Sequence, residues 1–303
     1  MPRYSIIIPA RNAALTLGAA LDSLLAQCVT DWEALIIEDG SDDATRAIAE
    51  GYADADMRFR VLSNVGHGLS QACNLGAAIA RGEILAFCRP DRLWMPGRLR
   101  RMDEAFADAT LDACYGRIAL MDNLGSYTLS TVPEGDLTVE ALLADNPAGT
   151  LSNMAVRRDV FQATGGLDTR ISTGASLEWA LRLVGEGFRL RGIDATLTIQ
   201  RATGTAMADL PALCAGRLAA LVTASRYAGA HTPERDAQRL RAMTRRALRR
   251  GAPRRQSLQL ALLGLRTSPA GWFSDMRRGT LTLSGALVAP ILPATLRRTL
   301  FAN

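Results

Sequence analysis

The chain contains no lysine, since all 35 of its Lys+Arg residues are arginine. This absence excludes mechanisms that need a lysine amine, namely the P-loop lysine of nucleotide hydrolases, Schiff-base catalysis and a lysine general base. Histidine is also scarce: only His67 and His231 occur, and neither lies in a G-x-S-x-G or H-E-x-x-H motif. The sequence therefore does not indicate a serine-hydrolase triad or a zinc protease.

Paired cysteines are absent as well. The chain has five widely spaced cysteines, which are Cys28, Cys73, Cys88, Cys114 and Cys214. Because no two form a C-x-x-C pair, neither a zinc knuckle nor a disulfide framework is indicated, and we expect reduced, mostly buried thiols. The amino terminus lacks a long apolar run, since the isoleucines at 6–8 are followed at once by Pro9. That run is too short for a signal peptide, so we expect a cytoplasmic protein.

Length and composition are those of a folded protein of about two domains, with 303 residues, 48% of them hydrophobic and 21% charged. The net charge of +5 conceals a strong asymmetry along the chain. Residues 1–200 hold 18 arginines against 26 acidic residues, whereas residues 201–303 hold 17 arginines against 4. This difference predicts two parts with different partners.

The first 120 residues alternate short apolar runs with amphipathic stretches, a pattern typical of βαβ units that build a mostly parallel sheet. We predict strands at 5–9, 34–38, 59–62 and 84–87. Each ends in a polar or turn-prone segment, and ligands of open α/β sheets bind outside the carboxyl ends of the strands. A site is therefore expected there. No G-x-G-x-x-G follows the first strand, which disfavours a dinucleotide oxidoreductase.

Four acids follow or end the second predicted strand: Glu38, Asp39, Asp42 and Asp43. Carboxylates at a strand end can accept hydrogen bonds from a base or ribose, or hold a divalent metal that binds a diphosphate. The alternative is helix capping, because Asp42 and Asp43 immediately precede a predicted helix whose positive end attracts acids. Capping is the favoured interpretation for these two residues, and less so for Asp39.

Several motifs occur in one order along the chain. They are Pro9-Ala10-Arg11-Asn12 after the first strand, Glu38-Asp39-Gly40-Ser41 after the second, the segments 68–76 and 82–87, Asp91, and later Gly165-Gly166-Leu167-Asp168 and Leu181-Arg182-Leu183. Together they resemble the family 2 glycosyltransferases over residues 4–200. The resemblance implies the GT-A fold, an α/β nucleotide-diphospho-sugar transferase fold whose open, mostly parallel sheet is flanked by helices.

The same resemblance implies transfer of a sugar from a nucleotide-diphosphate donor to an acceptor hydroxyl. It places Pro9, Asn12 and Asp39 around the nucleotide, with Asp39 accepting a hydrogen bond from the base. Asp91 corresponds to the last acid of the family's Asp-x-Asp element, which would ligate Mg²⁺ or Mn²⁺ at the diphosphate.

The metal element departs from the family pattern, because the chain reads Arg89-Pro90-Asp91-Arg92 where the family usually has Asp-Ala-Asp-Asp. Two cations beside a lone carboxylate oppose metal binding, but guanidinium groups can pair with the diphosphate directly. Arg89 is therefore a candidate nucleotide-binding residue. The alternative is a surface salt bridge between Asp91 and Arg92.

Two further positions depart from the family. Cys73 stands where the family frequently has an arginine near the nucleotide, and Ala175-Ser176 stand where it has the Glu-Asp pair that supplies the catalytic base. A serine hydroxyl cannot remove the acceptor proton at neutral pH. Glu178 and Asp168 are the candidate catalytic acids, and the alternatives are a structural acid for Glu178 and a turn-stabilising one for Asp168.

Beyond residue 205 the resemblance ends, and we place the domain boundary between the GT-A-like part, 1–205, and a basic, mainly helical region, 206–303. Nine arginines lie between 235 and 255, with apolar residues at helical spacing, so a basic amphipathic helix is predicted. Such a helix suits an anionic membrane surface. A solvated helix face is the alternative, and nucleic acid is the less favoured polyanion because stacking aromatics and reader motifs are absent.

The stretch 279–296 carries no charge and is flanked by arginine pairs. Since it has only 18 residues and includes Pro290 and Pro293, an interfacial segment is favoured over a transmembrane helix. The sequence as a whole thus predicts a glycosyltransferase at the cytoplasmic face of the inner membrane, acting on a lipid-linked or polysaccharide acceptor. The competing hypothesis is a catalytically degenerate GT-A domain that serves as a binding or scaffold subunit.

Overall fold

The computed structural model describes residues 1–64, 66, 68–121, 125–201, 210–227, 233–249 and 254–288. Within these residues, one nine-stranded sheet is flanked by helices, and a group of helices follows it along the chain. The predicted α/β class, with an open sheet between helices and a helical carboxy-terminal region, is confirmed.

The first half of the sheet consists of parallel strands joined by helices. Its elements are β1 (Tyr4–Ala10), α1 (Leu17–Leu25), β2 (Trp32–Glu38), α2 (Thr45–Ala55), β3 (Phe59–Ser63), α3 (Leu69–Ile79) and β4 (Ile84–Phe87). The four strands pair in the order β3-β2-β1-β4, and all three pairs are parallel. All four predicted strands are therefore confirmed. Every residue of β1, β2 and β4 is buried, as expected for a parallel sheet covered on both faces.

The second half of the sheet mixes directions. Its elements are β5 (Arg92–Trp94), α4 (Arg98–Phe106), β6 (Ala113–Met121), β7 (Tyr127–Leu129), α5 (Val139–Ala144), a 3₁₀ turn (Leu151–Asn153), β8 (Met154–Arg157), α6 (Arg158–Ala163), α7 (Ala175–Gly185) and β9 (Leu190–Arg201). The strand order continues as β4-β8-β6-β9-β5, with β7 on β6. β8 is antiparallel to both of its neighbours, β6 and β9 are parallel, and β5 is antiparallel to β9.

The core has two layers, one on each face of the sheet. Ile7 and Leu35 belong to the layer that also contains Trp179 of α7, while Ile6 and Ile36 belong to the layer beneath α1 and α4. Adjacent residues of a strand point to opposite faces, so the unbroken apolar runs of β1 and β2 supply both layers at once.

The carboxy-terminal region is helical, with α8 (Leu210–Ala224), α9 (Pro233–Arg249), α10 (Arg254–Thr267), α11 (Pro269–Trp272) and α12 (Met276–Val288). Ala220 and Ala224 of α8 are buried in the same core layer as Trp179. The helices α9 to α12 pack around Trp272 instead. The boundary at 205/206 falls among residues outside the described part of the chain and stays a prediction.

The basic helix predicted from the arginines at 235–255 is confirmed in α9, and the last two of these arginines begin α10. The residues at 250–253 lie outside the described part of the chain. The uncharged stretch at 279–296 was predicted as an interfacial segment. Its first part, up to Val288, belongs to α12, and its remainder lies outside the described residues. In the described segments, no helix has both the length and the apolar character that a bilayer crossing needs.

Candidate functional site

The carboxyl ends of β2, β1 and β4 lie side by side because these strands are parallel neighbours. Asp39 follows β2 and donates its backbone N–H to the carbonyl of Ala10 at the end of β1, at 2.9 Å. Cys88 follows β4 and donates likewise to Ile7 of β1, at 3.0 Å. The structure thus brings the predicted nucleotide-binding residues, Pro9, Asn12, Asp39 and Arg89, to one edge of the sheet together with Asp91.

Asp39 is buried and held by donors from the next strand connection. The Nδ2 of Asn64, which follows β3, donates to one carboxylate oxygen at 2.7 Å, and the backbone N–H of Gly68 donates to the other at 3.0 Å. Asn64 was not predicted as a site residue, although its place after β3 repeats that of Asp39 after β2.

Asn12 fastens the turn after β1 to the turn after β2. Its backbone N–H donates to the Ser41 hydroxyl at 3.1 Å, and its side-chain oxygen accepts from the backbone of Asp42 at 2.9 Å. The residue has a φ of 46°, a left-handed conformation that asparagine tolerates better than most residues. The two turns are therefore fixed relative to each other where the resemblance places the nucleotide.

Asp43 lies directly before Ala44, the N-cap residue of α2, and accepts hydrogen bonds at this end of the helix without occupying the cap position itself. One oxygen accepts from the backbone of Thr45 at the start of α2, at 2.9 Å, and the other accepts from the backbone of Ala14, at 3.0 Å. Hydrogen bonds from Thr45 and then from Ala14 hold the pKa of Asp43 below its usual value. The contact of Asp42 differs, because its backbone N–H, and not its carboxylate, forms the hydrogen bond to Asn12.

Asp91 lies between two arginines. Its Oδ2 is 2.7 Å from Nη1 of Arg92, and its Oδ1 accepts from Nε of Arg89 at 3.2 Å. Arg92 is 7% exposed, Asp91 19% and Arg89 45%. Burial lowers the pKa of the Arg92 guanidinium from its usual value, an effect that Asp91 opposes.

The residues around Asp91 do not fit a divalent cation. Both carboxylate oxygens are already engaged by guanidinium groups, and a metal ion would have to sit beside two positive charges. Magnesium requires several oxygen ligands, and in the described ranges no group of three His, Cys, Asp or Glu side chains is arranged to bind a metal. The ligation of Mg²⁺ or Mn²⁺ by Asp91 stays a prediction.

Glu178 is buried in α7, where a bidentate ion pair with Arg182 engages both of its carboxylate oxygens, at 3.2 and 2.9 Å. The hydroxyl of Thr223 on α8 donates to Oε1 as well, at 2.9 Å. This is the arrangement of a structural acid. A catalytic role for Glu178 stays a prediction. It would require the carboxylate to give up hydrogen bonds from Arg182 or Thr223.

Asp168 follows the glycine pair at 165–166 and is paired with Arg170, whose Nη2 lies 2.8 Å from Oδ2. The bond from Arg170 keeps the pKa of the Asp168 carboxyl below its usual value. Ala175 and Ser176 begin α7 and bring no carboxylate, so the departure from the family at the base position persists in three dimensions. A catalytic role for Asp168 likewise stays a prediction.

Cys73 and Asn74 lie next to each other in α3. Cys73 is buried, and burial raises the pKa of its thiol to about 12, so it supplies no charge to the site. Asn74 forms two hydrogen bonds with the backbone of Leu167, donating at 2.8 Å and accepting at 2.9 Å. A helix that begins beside Asp39 is thereby fixed to the loop that carries Asp168, a link that sequence reasoning missed.

A family model described as glycosyl transferase family 2 matches residues 5–165. An uncharacterised glycosyltransferase of Bacillus subtilis, EpsJ, is 36% identical over 112 residues, covering 37% of this chain and 33% of EpsJ. The Escherichia coli enzyme named UDP-Glc:alpha-D-GlcNAc-diphosphoundecaprenol beta-1,3-glucosyltransferase WfgD is 28% identical over 149 residues, which are 49% of this chain and 58% of WfgD. The match thus spans about a third of EpsJ and less than two thirds of WfgD.

Among solved structures, residues 1–349 of TarS from S. aureus in complex with UDP superpose with a TM-score of 0.63. The sequences are 13% identical, and the superposition covers 100% of this chain and 90% of the TarS fragment. At this level of identity the likeness shows the fold alone.

Proposed function

Because the chain belongs to glycosyl transferase family 2, we propose that it transfers a sugar from a nucleotide-diphosphate donor to an acceptor hydroxyl. The observation that carries this proposal is the buried Asp39 carboxylate at the carboxyl edge of the sheet, held by Asn64 and Gly68. A carboxylate fixed in this way is preorganised to accept a hydrogen bond from a base. Pro9 and Asn12 border the same edge.

The acceptor proton has to leave as the new glycosidic bond forms, which calls for a general base. Of the two candidates, Asp168 has the more accessible carboxylate, because its partner Arg170 is 88% exposed and the ion pair opens at little cost. The bond from Arg170 that lowers its pKa also makes it a weaker base, so opening of this ion pair would accompany proton removal. Glu178 would first have to release Arg182 and Thr223.

We propose a lipid-linked or polysaccharide acceptor, reached at the cytoplasmic face of the inner membrane. The name of WfgD specifies a diphosphoundecaprenol-linked acceptor for that relative. In this chain, α12 exposes the apolar residues Met276, Leu281, Leu287 and Val288. Arg277, in the first turn of the helix, is exposed as well. An apolar helix face with arginine at its start suits an anionic lipid surface.

The test is titration calorimetry of the full chain with UDP-, GDP- and dTDP-sugars, followed by assays of donor hydrolysis and of transfer to lipid-diphosphate-linked sugars. Asp39→Asn and Asn64→Ala should each weaken binding of the accepted donor by about tenfold, since each alters one charge-assisted hydrogen-bond network. Asp54→Asn, at the exposed end of α2, is the matched control for loss of a carboxylate. Failure of every donor to bind would refute the proposal.

A second candidate function is a binding or scaffold subunit without turnover. The absence of a carboxylate at Ala175 and Ser176 favours it, as does the neutral thiol of Cys73. The two candidates differ in one outcome of the same experiment. Donor binding without hydrolysis or transfer, at every metal and acceptor condition, would support the scaffold and count against the enzyme.

A further inference from the structure

We propose that the donor diphosphate is bound by the guanidinium groups of Arg89 and Arg92 and needs no divalent cation. This inference rests on the proposed nucleotide-diphosphate donor. It concerns the turn between β4 and β5, where the chain departs from the family's acidic metal element.

The turn between β4 and β5 has an excess of positive charge. Asp91 supplies one negative charge, and its two oxygens are shared between Arg92 at 2.7 Å and Arg89 at 3.2 Å. One positive charge therefore remains in excess, on groups of which Arg92 is almost completely buried. Since Asp91 pairs with the buried Arg92 at the shorter distance, the excess charge lies mainly on the half-exposed Arg89, where an anion from solvent can reach it.

Arg89 keeps N–H groups that are available to a phosphate. A guanidinium has five N–H donors, and the bond from Arg89 to Asp91 uses Nε. Arg89 is 45% exposed, so its terminal nitrogens can face a ligand while Nε remains on the carboxylate. Guanidinium groups bind phosphate oxygens in bidentate fashion, which a single ammonium group cannot do.

The turn lies at a distance from Asp39 that suits a nucleotide. The backbone N–H of Arg92 donates to the carbonyl of Arg89 at 3.0 Å, which closes the turn and directs both side chains to one carboxylate. Pairing of Arg92 with Gln200 of β9 then fixes the start of β5. The end of β4 lies two strands from Asp39, or about 10 Å across the sheet. This separation is comparable to the length of a nucleoside, so a base at Asp39 would direct its phosphates toward the turn.

The same charges that favour a phosphate disfavour a metal ion at this turn. It would have to displace two guanidinium groups from Asp91 and remain beside both of them. The arginines instead supply the positive charge that a cation would bring to the diphosphate. Asp91 then pairs with the two guanidinium groups without contacting the donor, and its charge competes with the diphosphate for them.

The test is calorimetric binding of UDP, GDP and dTDP to the full chain, once with EDTA and once with Mn²⁺. We expect at least one nucleotide to bind with EDTA, and Mn²⁺ to change its affinity by less than twofold. Arg89→Gln should weaken that binding by about tenfold, as expected for loss of a charge-assisted hydrogen bond. Arg101→Gln, an exposed arginine of α4 paired with Glu104, is the matched control and should leave binding unchanged.

Asp91→Asn separates the two ways of binding. If the arginines bind the diphosphate, this variant frees them from a competing anion, and affinity with EDTA should stay the same or rise. If Asp91 ligates a metal, the variant should abolish Mn²⁺-dependent binding. Arg92→Gln is informative only if its thermal unfolding matches the parent, because the side chain is buried, so Arg89→Gln and Asp91→Asn decide the matter.

The outcomes distinguish this inference from the proposed function. Binding that appears only with Mn²⁺ and is lost in Asp91→Asn would overturn the inference and leave the proposed donor intact. Binding with EDTA that Arg89→Gln does not weaken would also overturn it. If no nucleotide binds under either condition, the proposed function itself fails, and the inference with it.

Discussion

Thr223 on α8 donates a hydrogen bond of 2.9 Å to Glu178 on α7, across 45 residues of chain and across the predicted domain boundary. The same carboxylate holds Arg182, which in turn donates to the carbonyl of Gly166 at 2.8 Å. Glu178 therefore lies at the junction of three segments: the loop that carries Asp168, α7, and the first carboxy-terminal helix.

Removal of this carboxylate should destabilise the protein. Glu178→Ala leaves Arg182 without its anion in a mostly buried place, and breaking such a pair costs about 3–5 kcal/mol. Glu178→Gln should cost less, because the amide still accepts from Thr223. Urea unfolding followed by circular dichroism measures both. A parent-like unfolding midpoint with complete loss of turnover would indicate a catalytic base instead.

Gly216 should be intolerant of a side chain. A Cβ at this position of α8 would collide with the carbonyl oxygen of Thr173, which is backbone and cannot turn aside. We expect Gly216→Ala to lower the free energy of unfolding by about 1–3 kcal/mol, the usual cost of overpacking. Gly51→Ala in α2 meets no atom within 4 Å and should raise stability by about 0.5–1 kcal/mol. Equal effects of the two substitutions would contradict the close packing of α8.

Asp43 should make the turns after β1 and β2 sensitive to acid. Its folded-state pKa is lowered by hydrogen bonds from Thr45 and Ala14, so the ionised form is favoured when the protein is folded. The resulting stabilisation is complete above the unfolded value of about 3.9 and is lost as the pH falls through the folded value. Thermal unfolding of the parent and of Asp43→Asn should therefore differ by a constant amount from pH 7 to pH 5. Below pH 4 the difference should shrink, and a difference that grows in acid would refute this assignment.

The thiols should fall into two classes. Cys28 and Cys214 are exposed, whereas Cys73, Cys88 and Cys114 are buried with pKa values raised to about 12 by burial. The thiolate is the reactive form, so a disulfide reagent at pH 8 should modify two thiols rapidly and the other three only after denaturation. Three or more fast-reacting thiols in the folded protein would show that the core around α3 and β4 is more accessible than described.

The exposed face of α12 should bind anionic lipid. Leu281→Glu introduces a charge that an anionic surface repels, and it should reduce co-sedimentation of the full chain with phosphatidylglycerol vesicles. Leu129→Glu on β7 is the matched control, since the two leucines are 57% and 51% exposed. Binding to neutral vesicles should be weaker throughout, because each arginine near an anionic surface contributes about 1 kcal/mol. Equal losses for the two variants would argue against α12 as the docking face.

The parts of the fold that were predicted are those that local pattern controls. Apolar runs bounded by turn residues gave β1 to β4, and the parallel arrangement then placed Asp39 and Arg89 at one edge. The contacts that were missed join distant residues. The pairing of Asn74 with Leu167 spans 93 residues, and no periodicity within either segment indicates it.

The site illustrates the same limit. Sequence spacing identified Asp91 and its arginine neighbours, but it left a salt bridge and a phosphate site as equal alternatives. The structure adds that both arginines engage the one carboxylate, which depends on the turn closed between Arg89 and Arg92. Glu178 was open between a base and a structural acid, because its partner Thr223 lies on a helix that the family resemblance does not reach.

The strand order β4-β8-β6 also bears on how the protein assembles during synthesis. β6 (Ala113–Met121) leaves the ribosome before β8 (Met154–Arg157), yet β8 lies between β6 and β4 in the sheet. Until about residue 157 has emerged, one side of β4 has no partner strand, and an open strand edge is a template for pairing with other chains. We therefore expect a nascent chain paused between β6 and β8 to be the species most prone to aggregate, and the first to engage a chaperone.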